Sequence, residues 1–262
     1  MKTFDHCFAL CAYKESPYLE DCIRSLLAQE LPSKIIIATS TPNDTIGSVA
    51  QKYGLPLFIN PESGGIAADW NFALRQADAR FVTIAHQDDT YMKDYTKRIA
   101  GSISGSDPLI FFTDYYEISG DTVIKENRLL KIKERMNFPL RFRRFQKSRF
   151  VRKRILSLGS SICCPSVTFH KSLLGDFAFD PGFRCDLDWD AWSRIAEMKG
   201  AFVYIHQPLM CHRIHEESET THLLENGIRF DEDLRIFKRY WPDFLAKFIM
   251  KFYSRSAENN QK

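Results

Sequence analysis

The 262-residue sequence contains no apolar run that approaches the roughly 20 residues needed to cross a bilayer as a helix. Its first residues, Met1 to Asp5, are not followed by the apolar stretch of a secretory signal. With 44% hydrophobic and 26% charged residues, the composition is that of a soluble globular protein. These features predict a cytoplasmic protein that does not span a membrane.

Cysteine lacks the spacing of a metal or disulfide framework. The seven cysteines are an odd number, and no two of them form a Cys-x-x-Cys pair. They are Cys7, Cys11, Cys22, Cys163, Cys164, Cys185 and Cys211. We therefore expect reduced core residues, as is usual in a cytosolic protein.

A net charge of +3 hides an uneven distribution. Residues 128–154, the basic segment, contain twelve Lys or Arg and one Glu, a net +11, which leaves −8 for the rest of the chain. Apolar side chains alternate with the basic ones: Leu130, Ile132, Phe138, Leu140, Phe142, Phe145, Phe150 and Val151. Basic amphipathic segments bind anionic membrane surfaces. We predict peripheral binding at the inner face of the cell membrane, with a solvated surface helix as the alternative.

Nucleic acid is the rival partner for such a basic segment. The chain has no recognised nucleic-acid-binding motif, and its remaining body is acidic. We therefore expect no nucleic-acid partner.

Strand-like and helix-like patterns alternate over the first hundred residues. The predicted strands are His6–Ala12, Lys34–Thr39, Leu55–Ile59 and Phe81–Ala85, and Leu109–Thr113 continues the sheet. Ser16-Pro17 predicts one helix start, Asp44 predicts another, and Gly54 predicts a helix end. Later elements are helices over Asp188–Lys199 and 222–240, with a strand over Ala201–Ile205. Apolar strands between amphipathic helices indicate a parallel sheet covered on both faces.

Three polar loops follow the carboxyl ends of these strands, at residues 13–15, 40–44 and 86–89. Ligands of open α/β sheets bind beyond the carboxyl ends of the strands, so we expect the three loops to meet at one crevice. The third loop, His86-Gln87-Asp88-Asp89, places two adjacent carboxylates after a buried strand. Such carboxylates suit Mg²⁺ or Mn²⁺ shared with substrate phosphates. A solvated turn with an aspartate cap is the alternative.

The order and spacing of several segments resemble the family 2 glycosyltransferases. ALCAYKESPYLEDCIRSLLAQ resembles the opening strand, loop and helix of that family, and KIIIATSTPNDT resembles its second strand. NPESGGIAADWNFALRQADARFVTIAHQDDTYM resembles the stretch that leads into the family's Asp-x-Asp motif. GSSICCPSVTFHKSLL, DLDWDAWSRIAEMKGAFVYI and PLMCHRIHEESET are similar to its acceptor-side half. Only the basic segment lies clearly outside the resemblance.

The resemblance implies an α/β fold of the GT-A type, a Rossmann-like nucleotide-sugar-binding sheet flanked by helices. This domain would span residues 1–220, with a helical basic insertion at 128–154 and a C-terminal helical extension at 221–262. Two departures concern the nucleotide. Thr39-Ser40-Thr41 stands where the family often has two Asp, and His86 stands where the Asp-x-Asp motif usually begins. The identity of the nucleotide is therefore left open.

The family match also implies roles for individual residues. The nucleotide-sugar-binding set would be Ala12, Tyr13, Glu15, Ser40, Asp69, Gln87, Asp88 and Arg213. The metal set would be Asp88, Asp89 and His215. Strand spacing places Arg213 and His215 on one side, from which both could reach a diphosphate, while His212 on the other side is expected to be structural.

The catalytic base implied by the resemblance is Asp188, with Asp190 and Asp186 as alternatives. An inverting transferase needs one carboxylate that takes the proton of the attacking acceptor hydroxyl. The family places this group at the start of a helix that ends in Trp-x-Arg, which Trp192-Ser193-Arg194 matches. Helix capping is the alternative role of these aspartates, and we expect it for Asp186 and Asp190.

The implied function is a metal-dependent inverting glycosyltransferase of the hexosyltransferase type. It would move a sugar from a nucleotide-sugar donor, first of all a UDP-sugar, to a saccharide or lipid-linked acceptor in cell-surface polysaccharide or glycolipid synthesis. Two rivals use the same residues or fold. One is a metal-dependent nucleotide-sugar phosphohydrolase, and the other is a non-catalytic GT-A-fold binding protein.

Overall fold

Four short apolar strands lie in parallel at one side of the sheet in the computed structural model, which describes residues 4–62, 64–103, 107–214 and 228–258. They are β1 (His6–Cys11), β2 (Lys34–Thr39), β3 (Leu57–Ile59) and β4 (Phe81–His86), in the spatial order β3-β2-β1-β4. Alternate residues of β1 enter different cores, since Phe8 and Leu10 face one layer of helices while Cys7 and Ala9 face the other. Each fully buried apolar side chain of this kind contributes about 1.5–3 kcal/mol. The predicted parallel strands, covered on both faces, are confirmed.

The second half of the sheet is mixed. It contains β5 (Thr90–Tyr91), β6 (Pro108–Ser119), β7 (Thr122–Ile124), β8 (Val167–His170) and β9 (Ala201–Ile214). Strand β8 lies between β4 and β6 and is antiparallel to both, whereas β6 and β9 are parallel to each other and run in the same direction as β4. The prediction of a parallel sheet is therefore wrong at β5, β7 and β8. The basic segment stays at the carboxyl end of β6, where Lys133 contacts Tyr115. The chain therefore re-enters the sheet from that end, which makes the next strand antiparallel.

Two predicted helix starts need correction. The first helix, α1, is Leu19–Leu27, and Ser16 instead forms a turn in which its Oγ accepts the Tyr18 N–H at 3.2 Å. The second helix, α2, is Asp44–Tyr53, and its N-cap is Asn43, whose Oδ1 accepts the Ile46 N–H at 2.9 Å. Asp44 is therefore the first helical residue instead of the cap. Gly54 ends α2 as predicted, with a φ of 63° that favours glycine.

The remaining helices follow in chain order. They are α3 (Gly65–Gln76), α4 (Tyr95–Gly101), α5 (Arg128–Asn137), α6 (Arg143–Gln146), α7 (Arg149–Leu156), α8 (Lys171–Leu174), α9 (Leu187–Ile195), α10 (Ile228–Tyr240) and α11 (Asp243–Glu258). None of the helices in the described part of the chain combines the length and apolar character that a membrane crossing requires.

The basic segment is helical as predicted, but its cations are not all at the surface. Arg152 of α7 is fully buried, and its guanidinium donates to the carbonyls of Met198 at 2.8 Å and Gly200 at 3.1 Å. It also lies over the Phe202 ring at 5.1 Å. Arg152 therefore fastens the basic segment to the body of the protein, and other side chains of the segment form its exposed face.

The C-terminal helices pack on the same core as the sheet. Ile236, Phe237, Ala246 and Met250 are buried in the layer that also contains Trp189. The Trp241 indole N–H donates to the Ser157 carbonyl at 2.7 Å, which joins α10 to the end of α7. The helix predicted over 222–240 begins at Ile228 within the described residues. The division at residue 220 stays a prediction.

Candidate active site

The turn after β4 holds the most deeply buried carboxylate of the predicted metal set. Asp89 is fully buried, and its Oδ1 accepts hydrogen bonds from His212 Nδ1 at 3.0 Å and from the Arg213 N–H at 2.9 Å. Its own N–H donates to the His86 carbonyl at 3.2 Å, which closes the turn. The end of β9, more than a hundred residues later in the sequence, therefore holds Asp89 in place.

His86, Asp88 and Asp89 bring three ligand atoms within 4.8 Å of one another. Asp89 Oδ2 and His86 Nε2 are buried and have no hydrogen-bond partner among the described residues. Burial lowers the pKa of His86, although the two carboxylates oppose this, so its imidazole is neutral and can offer a lone pair. Carboxylate oxygens and a neutral imidazole fit a divalent cation such as Mn²⁺.

His86 stands where the Asp-x-Asp motif usually begins with Asp, yet the structure places it with Asp88 and Asp89 in the group that could hold a metal ion. Its ring stacks on Trp70 of α3, with centroids 5.1 Å apart and planes 22° from parallel. This stacking fixes the imidazole beside Asp89 Oδ2, which lies 3.8 Å from His86 Nδ1. The predicted ligand His215 lies outside the described residues.

His212 and Arg213 both contact the 88–89 turn, although strand spacing places them on opposite sides of β9, and the roles predicted for them stay predictions. Thr90 pairs with Cys211, which places the turn just beyond the end of this pairing and within reach of both side chains. Arg213 Nε donates to the Asp88 carbonyl at 3.0 Å, and the guanidinium lies 4.1 Å over the Tyr18 ring. Burial would lower the pKa of His212, but the Asp89 carboxylate outweighs it and raises the pKa.

The loops after β1 and β4 are joined by a side-chain amide. Gln87 Oε1 accepts the Tyr13 N–H at 3.0 Å, and Gln87 Nε2 donates to the Tyr13 carbonyl at 2.8 Å. The loop after β2 is attached to the loop after β1, because the Lys14 N–H donates to Thr41 Oγ1 at 2.6 Å. Lys14 adopts a φ of 54°, unusual for a residue with a side chain. The predicted convergence of the three loops is confirmed.

A carboxylate lies beside the second loop, although that loop itself lacks one. Ser40 Oγ donates to Asp69 Oδ2 at 2.8 Å, and Asn60 Nδ2 donates to Asp69 Oδ1 at 2.9 Å. Asp69 is on α3, so the acid comes from a helix. Two other predicted residues border this region: Ala12 is buried and donates to the Ala38 carbonyl, and exposed Glu15 accepts from Thr45 Oγ1 at 3.3 Å.

Asp188 lies in the first turn of α9 and is partly buried. Its Oδ1 accepts the Trp189 N–H at 2.6 Å, and its Oδ2 accepts from Ser160 Oγ at 3.4 Å. Burial raises the pKa of this carboxyl, while Lys133 is the largest charge acting in the opposite direction. A carboxyl in such a setting can accept a proton at neutral pH.

Asp190, the alternative base, is held by two arginines. It is fully buried, its Oδ2 accepts from Arg194 Nε at 2.8 Å, and its Oδ1 accepts from an Arg239 amino group at 2.6 Å. Because both oxygens are engaged away from solvent, this geometry favours a structural role for Asp190 and leaves Asp188 as the preferred base.

Asp89 and Asp188 both influence the same cysteine. Burial raises the pKa of the Cys163 thiol, and the charges of Asp89 and Asp188 act on it in the same direction.

Comparison with known proteins identifies the family of this chain. The family model described as glycosyl transferase family 2 matches residues 7–170, which is more than half of the chain and includes the three loops. This chain belongs to glycosyl transferase family 2. A search of curated proteins found no match.

Solved structures share the fold of this glycosyltransferase. S. aureus TarS 1-349 in complex with UDP-GlcNAc has a TM-score of 0.60 at 18% identity, over 94% of this chain and 70% of that chain. The mannosyltransferase PcManGT from Pyrobaculum calidifontis, in complex with GDP-Man and Mn²⁺, has a TM-score of 0.63 at 15% identity, over 94% and 69%. Against the longer S. aureus TarS chain the TM-score is 0.61 at 17% identity, and the match covers only 42% of TarS. The predicted GT-A fold is confirmed.

The glycosyltransferase also contains a buried acid pair that sequence reasoning missed. Asp186, two residues before the preferred base, interacts with Asp233 of α10, and burial raises the pKa of both carboxyls. Glu232, the neighbour of Asp233, accepts the backbone N–H groups of residues 184, 185 and 186 at 2.8–3.0 Å. Helix α10 therefore holds the loop that leads into α9. No local pattern could have shown a contact across more than forty residues.

Replacing Asp186 with Asn should change how stability depends on pH. An acid whose folded pKa is raised binds its proton more tightly in the folded state, so it lowers stability as pH rises above its unfolded value near 4. We expect Asp186→Asn to be more stable relative to wild type at pH 8 than at pH 5, measured by thermal unfolding. For a chain of this size, about 2–4 °C in Tm corresponds to 1 kcal/mol. Exposed Asp176→Asn is the matched control, and parallel curves for Asp186→Asn and wild type would contradict the assignment.

Proposed function

We propose that this protein transfers a sugar, with inversion, from a nucleotide-sugar donor to the hydroxyl of a saccharide or lipid-linked acceptor. The observation that carries the proposal is the His86–Asp89 turn, where ligand atoms of His86, Asp88 and Asp89 lie within 4.8 Å of one another. We place the donor and the acceptor in one cleft between this turn and Asp188, because the charges of Asp89 and Asp188 both act on the Cys163 thiol. Membership of glycosyl transferase family 2 supports transfer over simple phosphohydrolysis.

The donor diphosphate belongs at the metal-binding turn. Asp88 and Asp89, together with His86, would hold Mn²⁺ or Mg²⁺ in this proposal, and His215 stays a further predicted ligand. A divalent cation bound there would neutralise the charge of the departing diphosphate. Asp89 would already be oriented for this role, since His212 and the Arg213 N–H donate to its Oδ1. Arg213 supplies positive charge beside the same turn.

The nucleoside would lie across the three joined loops. Exposed Tyr13 offers an aromatic face for a base, and Gln87 fixes its backbone. The pair of Ser40 and Asp69 offers hydrogen-bonding groups for a ribose. A UDP-sugar is our first candidate, supported by the TarS complex with UDP-GlcNAc, while PcManGT was solved with GDP-Man.

Asp188 would act as the base. The acceptor hydroxyl would attack the anomeric carbon as the bond to the diphosphate breaks on the opposite face, and the hydroxyl proton would pass to the Asp188 carboxylate. Ser160 and the Trp189 N–H hold the two oxygens of this carboxylate in the cleft.

The basic segment and the last helix both expose aromatic side chains that suit an anionic membrane. Phe150 and Phe244 are 72% and 71% exposed. Arg154 connects the basic segment to the turn before α11, because its guanidinium lies 5.9 Å from the Phe150 ring and 4.9 Å from the Trp241 ring. Exposed aromatic rings next to cations are the chemistry of interfacial binding. We propose that the protein works at the inner face of the cell membrane, on precursors of a surface polysaccharide or glycolipid.

Asp188→Asn should abolish transfer without affecting the donor site. We expect the rate of UDP release in the presence of UDP-GlcNAc and saccharide acceptors to fall by about 10²–10⁴-fold, because the proton acceptor is lost. Donor binding and Tm should stay close to wild type. Asp190→Asn should instead lower the Tm, because Arg194 and Arg239 lose their partner. A wild-type rate that does not respond to any acceptor would favour the phosphohydrolase, and full activity of Asp188→Asn would refute the base assignment.

The metal site can be tested by ligand-dependent thermal shifts. UDP-GlcNAc or GDP-Man should raise the Tm of the wild type more in the presence of Mn²⁺ than in its absence, because binding stabilises the folded state by mass action. Asp88→Asn should remove the increment that depends on Mn²⁺, whereas exposed Asp121→Asn should retain it. An undiminished increment in Asp88→Asn would place the metal elsewhere.

Membrane binding can be tested by cosedimentation with liposomes. We expect binding to vesicles that contain phosphatidylglycerol at low salt, weaker binding at high salt, and none to pure phosphatidylcholine. Phe150→Ser with Phe244→Ser should reduce it severalfold, while Leu173→Ser, an exposed apolar residue of α8, should not. If the wild type does not bind the anionic vesicles at low salt, the membrane proposal is refuted.

A further inference from the structure

The first position of the His86–Asp89 turn differs in charge and in ligand type from the motif that the turn resembles. An Asp at that position would give the turn three carboxylates, whereas His86 leaves two, those of Asp88 and Asp89. Mg²⁺ and Ca²⁺ are hard cations that take oxygen ligands, and charged ligands strengthen their binding. An imidazole nitrogen instead suits transition-metal dications such as Fe²⁺, Ni²⁺ and Zn²⁺. The residue at this position therefore affects which cation the turn favours.

The His86 ring is close enough to Asp89 for both to bind one ion. His86 Nδ1 lies 3.8 Å from Asp89 Oδ2, a separation that two metal bonds of about 2.1 Å each can span. Asp89 is fully buried, and its Oδ2 has no hydrogen-bond partner in the part of the chain that the structure describes. Its Oδ1 accepts from His212 and from the Arg213 N–H. One oxygen of the buried carboxylate is therefore available on the side of His86.

The orientation of the His86 ring is set by aromatic packing. A histidine that binds a metal usually donates its other ring N–H to an acceptor, which fixes the ring. His86 Nε2 is buried without such a partner among the residues described, and the Trp70 indole stacks on the ring. Trp70 in turn meets the Phe179 ring edge-on, with centroids 4.9 Å apart. Stacking on Trp70 therefore takes the place of the usual hydrogen bond.

Phe179 is held in place by Asn71, the residue that follows Trp70 on α3. Asn71 Oδ1 accepts the Phe179 N–H at 2.7 Å, and Asn71 Nδ2 donates to the Phe179 carbonyl at 2.9 Å. The Phe179 side chain is almost fully buried. These two bonds fix the residue against which Trp70 packs, so contacts within the protein are sufficient to orient the imidazole.

We propose that His86 makes this turn selective for transition-metal dications over Mg²⁺, with its imidazole as a nitrogen ligand that Trp70 holds in place. The inference rests on the metal site of the proposed function, and it names the class of cation that this site selects. A turn with Asp in place of His86 would discriminate less, because its ligands would all be oxygens.

The first test compares the wild type with His86→Asp, which introduces the usual first residue of the motif. Binding of Mn²⁺ is measured from the EPR signal of the free ion, with Co²⁺ and Mg²⁺ as competitors, in the absence and presence of UDP. The ratio of the Co²⁺ affinity to the Mg²⁺ affinity should fall by about tenfold in His86→Asp. The control is His206→Asn, at an exposed histidine that pairs with Glu134, and it should keep the wild-type ratio. If His86→Asp does not fold, His86→Asn replaces it, with the same fall expected.

The second test detects the nitrogen ligand directly. Pulsed EPR of bound Mn²⁺ should show modulation from a coordinated ¹⁴N nucleus. Because His215 is a further predicted ligand, the comparison is made in His215→Ala, where the modulation should be present with His86 and absent after His86→Asp. Trp70→Leu should weaken Co²⁺ binding severalfold, whereas Trp70→Phe, which keeps an aromatic face for stacking, should retain most of it.

Three outcomes overturn the inference: equal affinity ratios in the wild type and His86→Asp, no ¹⁴N modulation in His215→Ala, or no binding of any of the three ions by the wild type. Selective binding with ¹⁴N modulation, in a protein that transfers no sugar, supports the role of His86 and rejects the proposed transfer alone. An active transferase whose Co²⁺ to Mg²⁺ ratio does not respond to His86→Asp rejects the role of His86 alone.

Discussion

The fully buried Asp89 carboxylate and its two partners from β9 hold the turn after β4 against the end of β9. A carboxylate removed from water is costly unless it is hydrogen-bonded, and here Oδ1 receives an imidazole N–H and a backbone N–H. Those bonds attach the turn after β4 to the end of a strand that arrives more than a hundred residues later. Oδ2 is left facing His86, where an additional positive charge would complete the arrangement.

From that anchor the contacts continue in two directions. Arg213 reaches the Asp88 carbonyl and the Tyr18 ring, which orients the start of α1 against the metal-binding turn. His212 packs against Tyr115, and Tyr115 accepts from Lys133 of the basic segment. A loss of the Asp89 contacts would therefore be felt at Tyr18, through Arg213, and at Lys133 of the basic segment, through His212 and Tyr115.

Sequence patterns predicted the elements that depend on neighbours along the chain. The strands up to β4, the end of α2 at Gly54 and the meeting of three loops all follow from local periodicity, a left-handed glycine and the geometry of parallel strands. Features that depend on distant partners were missed. His212 was expected to be structural, because no pattern along the sequence links it to Asp89. The antiparallel direction of β8 depends on the basic segment, which returns the chain to the sheet from the carboxyl end of β6.

The aspartates of α9 also show that a contact with a distant residue cannot be predicted from the local sequence. In sequence, the resemblance to the family makes Asp188 the leading base, while helix capping is expected for Asp190. The structure places the Asp190 carboxylate between Arg194 and Arg239, which comes from α10, 49 residues away, whereas Asp188 accepts from Ser160 and the Trp189 N–H. The uneven charge of the sequence corresponds to direct contacts between the basic segment and the rest of the chain. Fully buried Arg152 donates to the Met198 and Gly200 carbonyls, and Lys133 donates to the Tyr115 hydroxyl.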